Sequence, residues 1–235
     1  MWNDATIIRD DSDSRLLRRT LLFVRRKIGE RFYRPRINES LRQMLKDTPF
    51  SLFSNNCMGG VFYHDAGCRF TSPTINMAID GEDFVRFLEN PKHYCGIREF
   101  KFVKYPDISY PVAHLDDIEI RFVHYKTEEE CMEKWKSRAE RIDWDHLFVV
   151  GTDRDGLYKP ELLERFDRLP YQNKILFTAR SHPEYSWAIQ IPQFRKKEQV
   201  GIISYYADCR GHRYYDTGLD IAAWIKTGER HRMRG

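Results

Sequence analysis

The chain has 235 residues, of which 41% are hydrophobic and 31% are charged, and its formal net charge is +4. This length and apolar content are sufficient for a packed core in one large domain or two small ones. The small excess of basic over acidic residues gives no indication of a nucleic-acid-binding protein.

The cysteines are scattered, and no two of them form a Cys-X-X-Cys pair. They are Cys57, Cys68, Cys95, Cys131 and Cys209. This spacing fits neither a zinc site nor a small disulfide framework, so we expect reduced thiols in a cytoplasmic protein without a metal site. No apolar run approaches the roughly 18 residues that span a bilayer, and the first residues lack the apolar core of a signal peptide.

Residues 1–48 are predicted to form a polar tail followed by a basic helical segment. The stretch from Arg15 to Phe32 predicts an amphipathic helix, because apolar residues recur every three or four positions and basic residues fill the remaining surface. Such a helix can lie on an anionic membrane or contact a membrane-bound synthase, which would place the protein at the inner face of the membrane. It can equally pack on its own domain with the arginines in water. A second short helix is predicted from Asn38 to Asp47.

The stretch from Phe50 to Thr74 carries the strongest local signal. A short apolar run followed by Ser-Asn-Asn-Cys-Met-Gly-Gly predicts a strand that ends in a tight turn into a helix. Gly59 and Gly60 let backbone N–H groups approach a ligand, and a helix N-terminus favours negative charge. Cys57 at such a position is expected to have a lowered pKa and to be partly thiolate. The alternative is that Cys57 is a buried apolar residue and the glycines only shape the turn.

The next part of the chain, up to residue 146, is predicted to alternate strands with helices. The predicted strands are 75–79, 99–103 and 117–125, the predicted loop is 105–114, and helices begin after Asp80 and after Thr127. Pro91 is expected to end the first helix, and Thr127 with Glu130 predicts a capping box at the start of the second. One face of the last strand is expected to carry every second residue, namely Ile118, Ile120, Phe122 and, as a further candidate, His124.

The last third repeats the alternation and predicts the fold class. The predicted strands are 147–150, 174–178, 187–191 and 200–205, and the predicted helices are 160–169 and 219–227. The polar loop 151–156 is of the kind that delivers ligand-binding groups in an α/β sheet. We therefore expect an α/β domain at residues 49–228, with a mixed or mostly parallel sheet flanked by helices, and a basic tail at 229–235. A variant with two lobes joined near residues 151–160 is also compatible with the pattern.

The central stretch and three later ones together resemble a bacterial family usually labelled exopolysaccharide biosynthesis proteins. The resembling pieces are Ser54 to Cys57 with Gly59-Gly60, Ser72-Pro73-Thr74, the helix with Asp83, Phe84 and Phe87, Tyr110-Pro111-Val112, Asp117 to Ile120 with His124-Tyr125, and Lys134-Trp135 with Arg138, Arg141-Ile142 and Asp145 to Val149. The resemblance covers roughly residues 50–225. It departs from the family at Met58, where an aromatic residue is frequent, at Arg121, where His is frequent, and at His146, where Asn is frequent. The resemblance implies a role in capsule or exopolysaccharide synthesis and supplies no reaction.

A catalytic site can be composed from these residues. Cys57 is the candidate nucleophile, and His124, at the end of a predicted strand, is the candidate base. Asp117, or its neighbour Asp116, would orient the histidine through its other ring nitrogen. The substrate-binding candidates beside them are the side chains of Asn55 and Asn56 and the backbone N–H groups of Gly59 and Gly60.

This arrangement suits a transferase that moves an acyl or other group onto a sugar or a lipid-linked glycan. The first alternative is a nucleotide-sugar-dependent or metal-dependent transferase, in which Asp117 and Glu119 lie near the donor and Arg138 and Arg141 bind its phosphates. The second alternative is a module without catalysis, which holds a carbohydrate or a membrane-bound synthase through exposed aromatic residues. The sequence does not specify a cofactor.

Overall fold

Short strands and helices alternate in the computed structural model, which describes residues 20–21, 23–25 and 27–231. Within these residues the strands are β1 (Ser51–Phe53), β2 (Lys101–Val103), β3 (Val112–Leu115), β4 (Ile118–Arg121), β5 (Leu147–Thr152), β6 (Lys174–Thr178) and β7 (Ala188–Gln190). The α-helices there are α1 (Arg34–Leu45), α2 (Met58–Ala66), α3 (Gly81–Glu89), α4 (Pro91–Gly96), α5 (Glu128–Ala139), α6 (Pro160–Arg168) and α7 (Ile221–Thr227).

The strands form two separate sheets. The larger sheet has the strand order β1-β5-β6-β7, and its neighbouring strands are parallel. The smaller sheet has the order β2-β3-β4 and is antiparallel. The predicted α/β fold is therefore confirmed, with the parallel and the antiparallel strands in different sheets.

Helices cover both faces of the parallel sheet, and a hydrophobic core lies on each face. One core contains side chains of α3, α5 and α6 together with Phe53 and Val149. The other contains side chains of α1, α2 and α7 together with Leu52 and Val150. Neighbours such as Leu52 and Phe53 contribute to different cores because successive residues of a strand point to opposite faces. A strand that is buried on both faces has an uninterrupted apolar sequence, which is why β5 and β6 could be predicted.

The free edge of β1 is covered by side chains. The N–H of Leu52 donates to the hydroxyl of Tyr63 at 3.0 Å, and the N–H of Ser54 donates to Oγ1 of Thr74 at 3.0 Å. An edge strand otherwise exposes unpaired backbone groups that attract other chains. The motif Ser72-Pro73-Thr74 therefore has a structural role, because it satisfies the backbone at the edge of the sheet.

Helix α5 begins with the predicted cap. The N–H of Glu130 donates to Oγ1 of Thr127 at 3.1 Å, and the Glu130 carboxylate accepts a bond from the N–H of Lys126. In an ideal capping box the second of these hydrogen bonds comes from the N–H of the capping residue itself, which is Thr127 here. The helix carries Trp135 into the core, where its side chain is fully buried.

Three predictions about strands and loops are wrong. Residues 75–79 form no strand, because Asn76 adopts a left-handed φ of 62° and Ala78 alone pairs, as an isolated bridge to Arg121. Residues 200–205 form no strand, because the N–H of Val200 donates to a side chain, that of Asp153. The predicted loop 105–114 ends in strand β3, which begins at Val112 and includes His114.

One prediction about helix boundaries is confirmed and one is wrong. Helix α3 ends at Glu89, just before Pro91, as predicted, and Pro91 is itself the first residue of α4. Proline is well tolerated there because the first turn of a helix does not need its N–H. Helix α1 begins at Arg34 rather than after Asn38, with Pro35 in its first turn.

The predicted helix from Arg15 to Phe32 lies partly outside the described residues, as do the last four residues of the predicted basic tail. The described residues of 20–28 are helical, and they lead into a π-helical turn, Gly29–Tyr33. No helix in the described part of the chain has the length and apolar content needed to cross a membrane.

A buried network of charges ties the start of α1 to α2 and to the chain near residue 216. Arg34 donates to Oδ2 of Asp65 at 2.8 Å and to Oδ2 of Asp216 at 2.6 Å. Arg213 Nε donates to the same oxygen of Asp65 at 2.8 Å. Two arginines therefore balance two carboxylates, and the side chains of Arg34, Asp65 and Asp216 are at most 5% exposed.

Candidate functional site

Polar residues gather where β1 and β5 end, at the carboxyl edge of the parallel sheet. Parallel strands end at a common edge, and this edge is where open α/β sheets bind ligands. The residues that we call the carboxyl-edge site are Asn55, Asn56, Cys57, Asp153 and Arg154. The first three follow β1 and the last two follow β5, so their proximity comes from the β1–β5 pairing.

Asn55 extends the ladder between β1 and β5 by one residue. Its side-chain Nδ2 donates to the carbonyl of Thr152 at 3.1 Å, and its Oδ1 accepts the N–H of Thr152 at 3.1 Å. The amide side chain thus replaces a backbone peptide, and it is fully buried. Its polar atoms bond to the protein itself, so Asn55 positions the turn, and its role in substrate binding stays a prediction.

Asn56 lies directly before Cys57, the N-cap residue of helix α2, and bonds to the first N–H of the helix. Its Oδ1 accepts the N–H of Met58 at 3.0 Å, and its Nδ2 donates to Oγ1 of Thr152 at 2.8 Å and to Oδ1 of Asn55 at 3.0 Å. Asparagine is favoured at helix N-termini because its side-chain oxygen satisfies an unpaired N–H. The predicted pair of asparagines is therefore brought to the carboxyl edge, where both side chains hold the strand-to-helix turn.

The two glycines lie in the first turn of α2. A Cβ on Gly59 would lie 2.9 Å from Cβ of Ser54, and a Cβ on Gly60 would lie 2.1 Å from Oδ1 of Asn76. Glycine is required here for close packing of the helix. Their N–H groups have no acceptor among the described residues, as is usual for the first turn of a helix. These N–H groups remain suited to bind an anion.

Cys57 is a half-buried thiol beside Arg154. Its Sγ lies 4.0 Å from the carbonyl oxygen of Met77. Burial raises the pKa of the thiol to about 11, although the charge of Arg154 lowers it. The expectation of a lowered pKa is therefore wrong, because the loss of water outweighs the nearby cation and the helix N-terminus. Cys57 is protonated at neutral pH, and its role as a nucleophile stays a prediction.

The structure does not connect Cys57 to His124 or Asp117. His124 lies in an exposed turn after β4, and among the described residues it makes no hydrogen bond or ion pair. Asp117 accepts a hydrogen bond from the hydroxyl of Tyr94 at 2.6 Å and lies 3.4 Å from Nε of Arg86. His124 was expected beside Ile120 on the buried face, but β4 ends at Arg121 and the chain turns away. The three predicted catalytic residues are therefore not joined by contacts.

Arg138 and Arg141 bind the chain segment between α2 and α3. Arg138 is buried and donates to the carbonyl of Ile75 at 3.0 Å and to the hydroxyl of Tyr125. Arg141 Nε donates to the carbonyl of Phe70 at 3.0 Å. Burial and the positive charges of Arg69 and Arg138 lower the pKa of Arg141. Arg138 is thus engaged in the fold, and neither arginine contacts the carboxyl-edge site.

Of the residues in the carboxyl-edge site, Arg154 is the one that the sequence indicated least clearly as functional. Its guanidinium is half-buried and makes no hydrogen bond or ion pair with another described residue. It is nevertheless close enough to Cys57 and Asp153 for its charge to lower the pKa values of both. The signal in the sequence was the polar run Asp153 to Gly156 directly after a buried strand.

Asp153 connects the ends of two strands to a distant loop. Its Oδ2 accepts the N–H of Ala179, after β6, and its Oδ1 accepts the N–H of Val200, both at 2.7 Å. Burial raises the pKa of this carboxyl to about 6, although both hydrogen bonds and the nearby charges of His182 and Arg154 lower it. Within the described residues, no group of three or more His, Cys, Asp or Glu side chains could hold a metal ion.

Two comparisons with other proteins cover this site. A family described as "Domain of unknown function (DUF1919)" matches residues 28–226. An uncharacterised protein of Haemophilus influenzae (strain ATCC 51907 / DSM 11121 / KW20 / Rd) is 37% identical over 196 residues, which cover 83% of this chain and 92% of that protein. The family match includes both sheets and the whole carboxyl-edge site. Neither description assigns an activity, so the function is argued from the geometry.

Proposed function

The chain belongs to the DUF1919 family, and from this premise we propose that it is a transferase of surface-polysaccharide synthesis that binds its sugar donor through a phosphate at the carboxyl-edge site. The polysaccharide context is supported by the resemblance of its motifs to exopolysaccharide biosynthesis proteins. The phosphate-bearing donor is supported by the geometry around Arg154.

The observation that carries the proposal is a half-buried arginine, Arg154, whose charge acts on the adjacent Asp153 but which forms no ion pair or hydrogen bond with any described acidic side chain. Withdrawing a cation from water is costly unless a counter-charge compensates it. Arg154 also lies beside Cys57, the residue before α2, so the positive end of the α2 dipole adds to its field. A phosphate bound there would supply the missing counter-charge.

Polar atoms without partners accompany Arg154. The N–H groups of Gly59 and Gly60 have no acceptor among the described residues. Oγ of Ser54, at the end of β1, is buried and also has no hydrogen-bond partner there. A helix N-terminus with free N–H groups next to an arginine is a common arrangement for phosphate binding.

The same arrangement suits transfer chemistry. When a sugar is transferred from a phosphate donor, the acceptor hydroxyl forms a bond to the anomeric carbon and loses its proton to water, while the bond from that carbon to the phosphate oxygen breaks and negative charge grows on the phosphate. A fixed cation and fixed N–H groups stabilise that charge in the transition state. This reaction needs no thiolate, which is why we favour it over acyl transfer through Cys57, whose pKa of about 11 keeps the sulfur protonated.

The test is calorimetric titration of the purified protein with a panel of nucleotide sugars and sugar phosphates. Arg154→Ala should weaken binding of any ligand found by about tenfold to a hundredfold, as expected for a charge-assisted hydrogen bond. The matched control is Arg168→Ala, because Arg168 is exposed on α6, away from the carboxyl ends of the strands. Equal affinity of the Arg154→Ala protein, or no binding by any member of the panel, would contradict the proposal.

A second measurement separates transfer from simple binding. The ligand that binds is incubated with acceptor sugars, and the products are identified by mass spectrometry. Appearance of a new glycoside that depends on Arg154 supports a transferase. A donor that binds and is recovered unchanged with every acceptor would instead indicate a binding module of polysaccharide assembly.

A further inference from the structure

The helical segment before α1 exposes an unusual amount of apolar surface. Phe23 is 61% exposed, Phe32 is 65% exposed and Leu21 is 57% exposed. Six of the eight large apolar residues that are exposed in the described part of the chain lie in this segment: Leu21, Phe23, Val24, Ile28, Phe32 and Tyr33. An exposed segment with this concentration of apolar residues indicates a surface that binds a membrane or another protein.

The segment leaves the body of the protein at Gly29. Gly29 is buried, and a Cβ there would lie 3.1 Å from Cα of Gly211. Directly after the π-helical turn, Arg34 enters the buried charge network. The base of the segment is therefore firmly held, while the apolar side chains before it stay in contact with water.

The charge around the apolar residues is strongly positive. Residues 15–33 contain seven lysines and arginines against one acidic residue, Glu30. Among the described ones, Arg25, Lys27 and Arg31 are exposed. A helix with exposed apolar residues and many basic residues is complementary to a surface that is apolar below and negative above.

We propose that this segment docks the protein on an anionic membrane surface. Leu21, Val24 and Ile28 are spaced so that they share one face of the helix, and they would enter the boundary between headgroups and acyl chains, while the basic residues would contact the lipid phosphates. In this proposal the segment lies in the plane of the membrane interface, with its basic residues at the level of the headgroups. This proposal concerns a different surface from the carboxyl-edge site and does not depend on the proposed transferase activity.

The test is co-sedimentation of the full chain with vesicles of phosphatidylcholine alone and with vesicles in which roughly a third of the lipid is anionic phosphatidylglycerol. We expect binding only to the anionic vesicles and weaker binding at high salt. Combined Leu21→Ser and Ile28→Ser should weaken binding at least tenfold, because two apolar side chains of this face no longer leave water. Combined Arg25→Glu, Lys27→Glu and Arg31→Glu should weaken it about a hundredfold or more, at roughly fivefold for each charge.

Matched controls carry the same changes elsewhere. Tyr105→Ser removes an exposed aromatic residue outside the segment. The triple change of Arg195, Lys196 and Lys197 to glutamate alters the net charge equally on an exposed loop. Both control proteins should bind the anionic vesicles like the unchanged chain, and a loss as large as in the segment variants would overturn the proposal.

Two other results would also overturn it. The first is absence of binding to the anionic vesicles. The second is a dimer, seen by analytical ultracentrifugation, that the changes at Leu21 and Ile28 dissociate while vesicle binding is unaffected. That result would assign the apolar face to a second copy of the chain.

Discussion

Arg34 and Arg154 are both withdrawn from water, but their surroundings differ. Arg34 is 2% exposed and donates hydrogen bonds to Asp65 and Asp216. Arg154 is half-buried next to Cys57 and forms no ion pair or hydrogen bond with an acidic side chain in the described part of the chain, although its charge acts on the adjacent Asp153. The first arginine is fully compensated within the protein, whereas the second leaves positive charge for a ligand.

The comparison distinguishes an arginine that stabilises the fold from an arginine whose charge is available to bind a ligand. A compensated buried ion pair is strongly destabilised by removal of one partner, because the remaining charges stay buried. A cation that lacks a partner contributes little to folding, so its removal should be tolerated and should affect binding instead. Substitution of Arg34 should therefore lower the stability of the fold, whereas substitution of Arg154 should weaken ligand binding and leave stability nearly unchanged.

The largest effect is expected for Arg34→Ala. The substitution leaves Asp65 and Asp216 buried with less positive charge, which should lower the free energy of unfolding by about 3–5 kcal/mol. The measurement is urea denaturation followed by circular dichroism. Arg36→Ala is the matched control, since Arg36 is exposed on the same helix and should change stability by less than about 0.5 kcal/mol. Similar losses for both variants would show that the network does not stabilise the fold.

The second effect concerns Asp153 and the pH dependence of stability. Burial raises its pKa in the folded protein to about 6 from an ordinary value of 3.8. Between these two values the folded state holds a proton that the unfolded state has lost, so the free energy of unfolding falls as the pH rises. The total loss across this window is about 3 kcal/mol, at about 1.4 kcal/mol for each pKa unit.

Asp153→Asn removes this titration. Between about pH 4 and about pH 6 its unfolding free energy should fall by about 3 kcal/mol less than that of the unchanged protein, as measured by urea denaturation at a series of pH values. Asp155→Asn is the control, because Asp155 lies in the same loop and its side chain makes no hydrogen bond or ion pair with another described residue. This variant should retain the full decline in unfolding free energy. If the Asp153→Asn protein keeps the full slope, another group must cause it.

Features with a local cause could be predicted from the sequence. The runs at β5 and β6 are apolar without interruption because helices cover both faces of the sheet. The start of α5 was predictable because Thr127 caps Glu130, three residues away. The strand-to-helix turn at Asn56 and Cys57 could also be predicted, since small polar residues and glycines follow an apolar run.

Features that depend on distant contacts could not be predicted. The amide of Asn55 looks like a substrate contact in the sequence, but its partner Thr152 is 97 positions away. Asp216 is 182 positions from Arg34, and no local pattern connects them. The raised pKa of Cys57 has the same origin, because its burial comes from packing against a separate segment at Met77.

The smallest effect, and the sharpest contrast with Arg34, is expected for Arg154→Ala. Its unfolding free energy should stay within about 1 kcal/mol of the unchanged protein, because no partner is left unpaired. The charge of Arg154 lowers the pKa of Cys57, so its removal should raise that pKa and slow iodoacetamide labelling of Cys57 about two- to fivefold near pH 8.5. Labelling is followed by mass spectrometry, with the exposed thiol of Cys209 as the internal control whose rate should not change. A loss of stability like that of Arg34→Ala would mean that Arg154 is already compensated in the folded chain, and the case for a phosphate at this edge of the sheet would then fail.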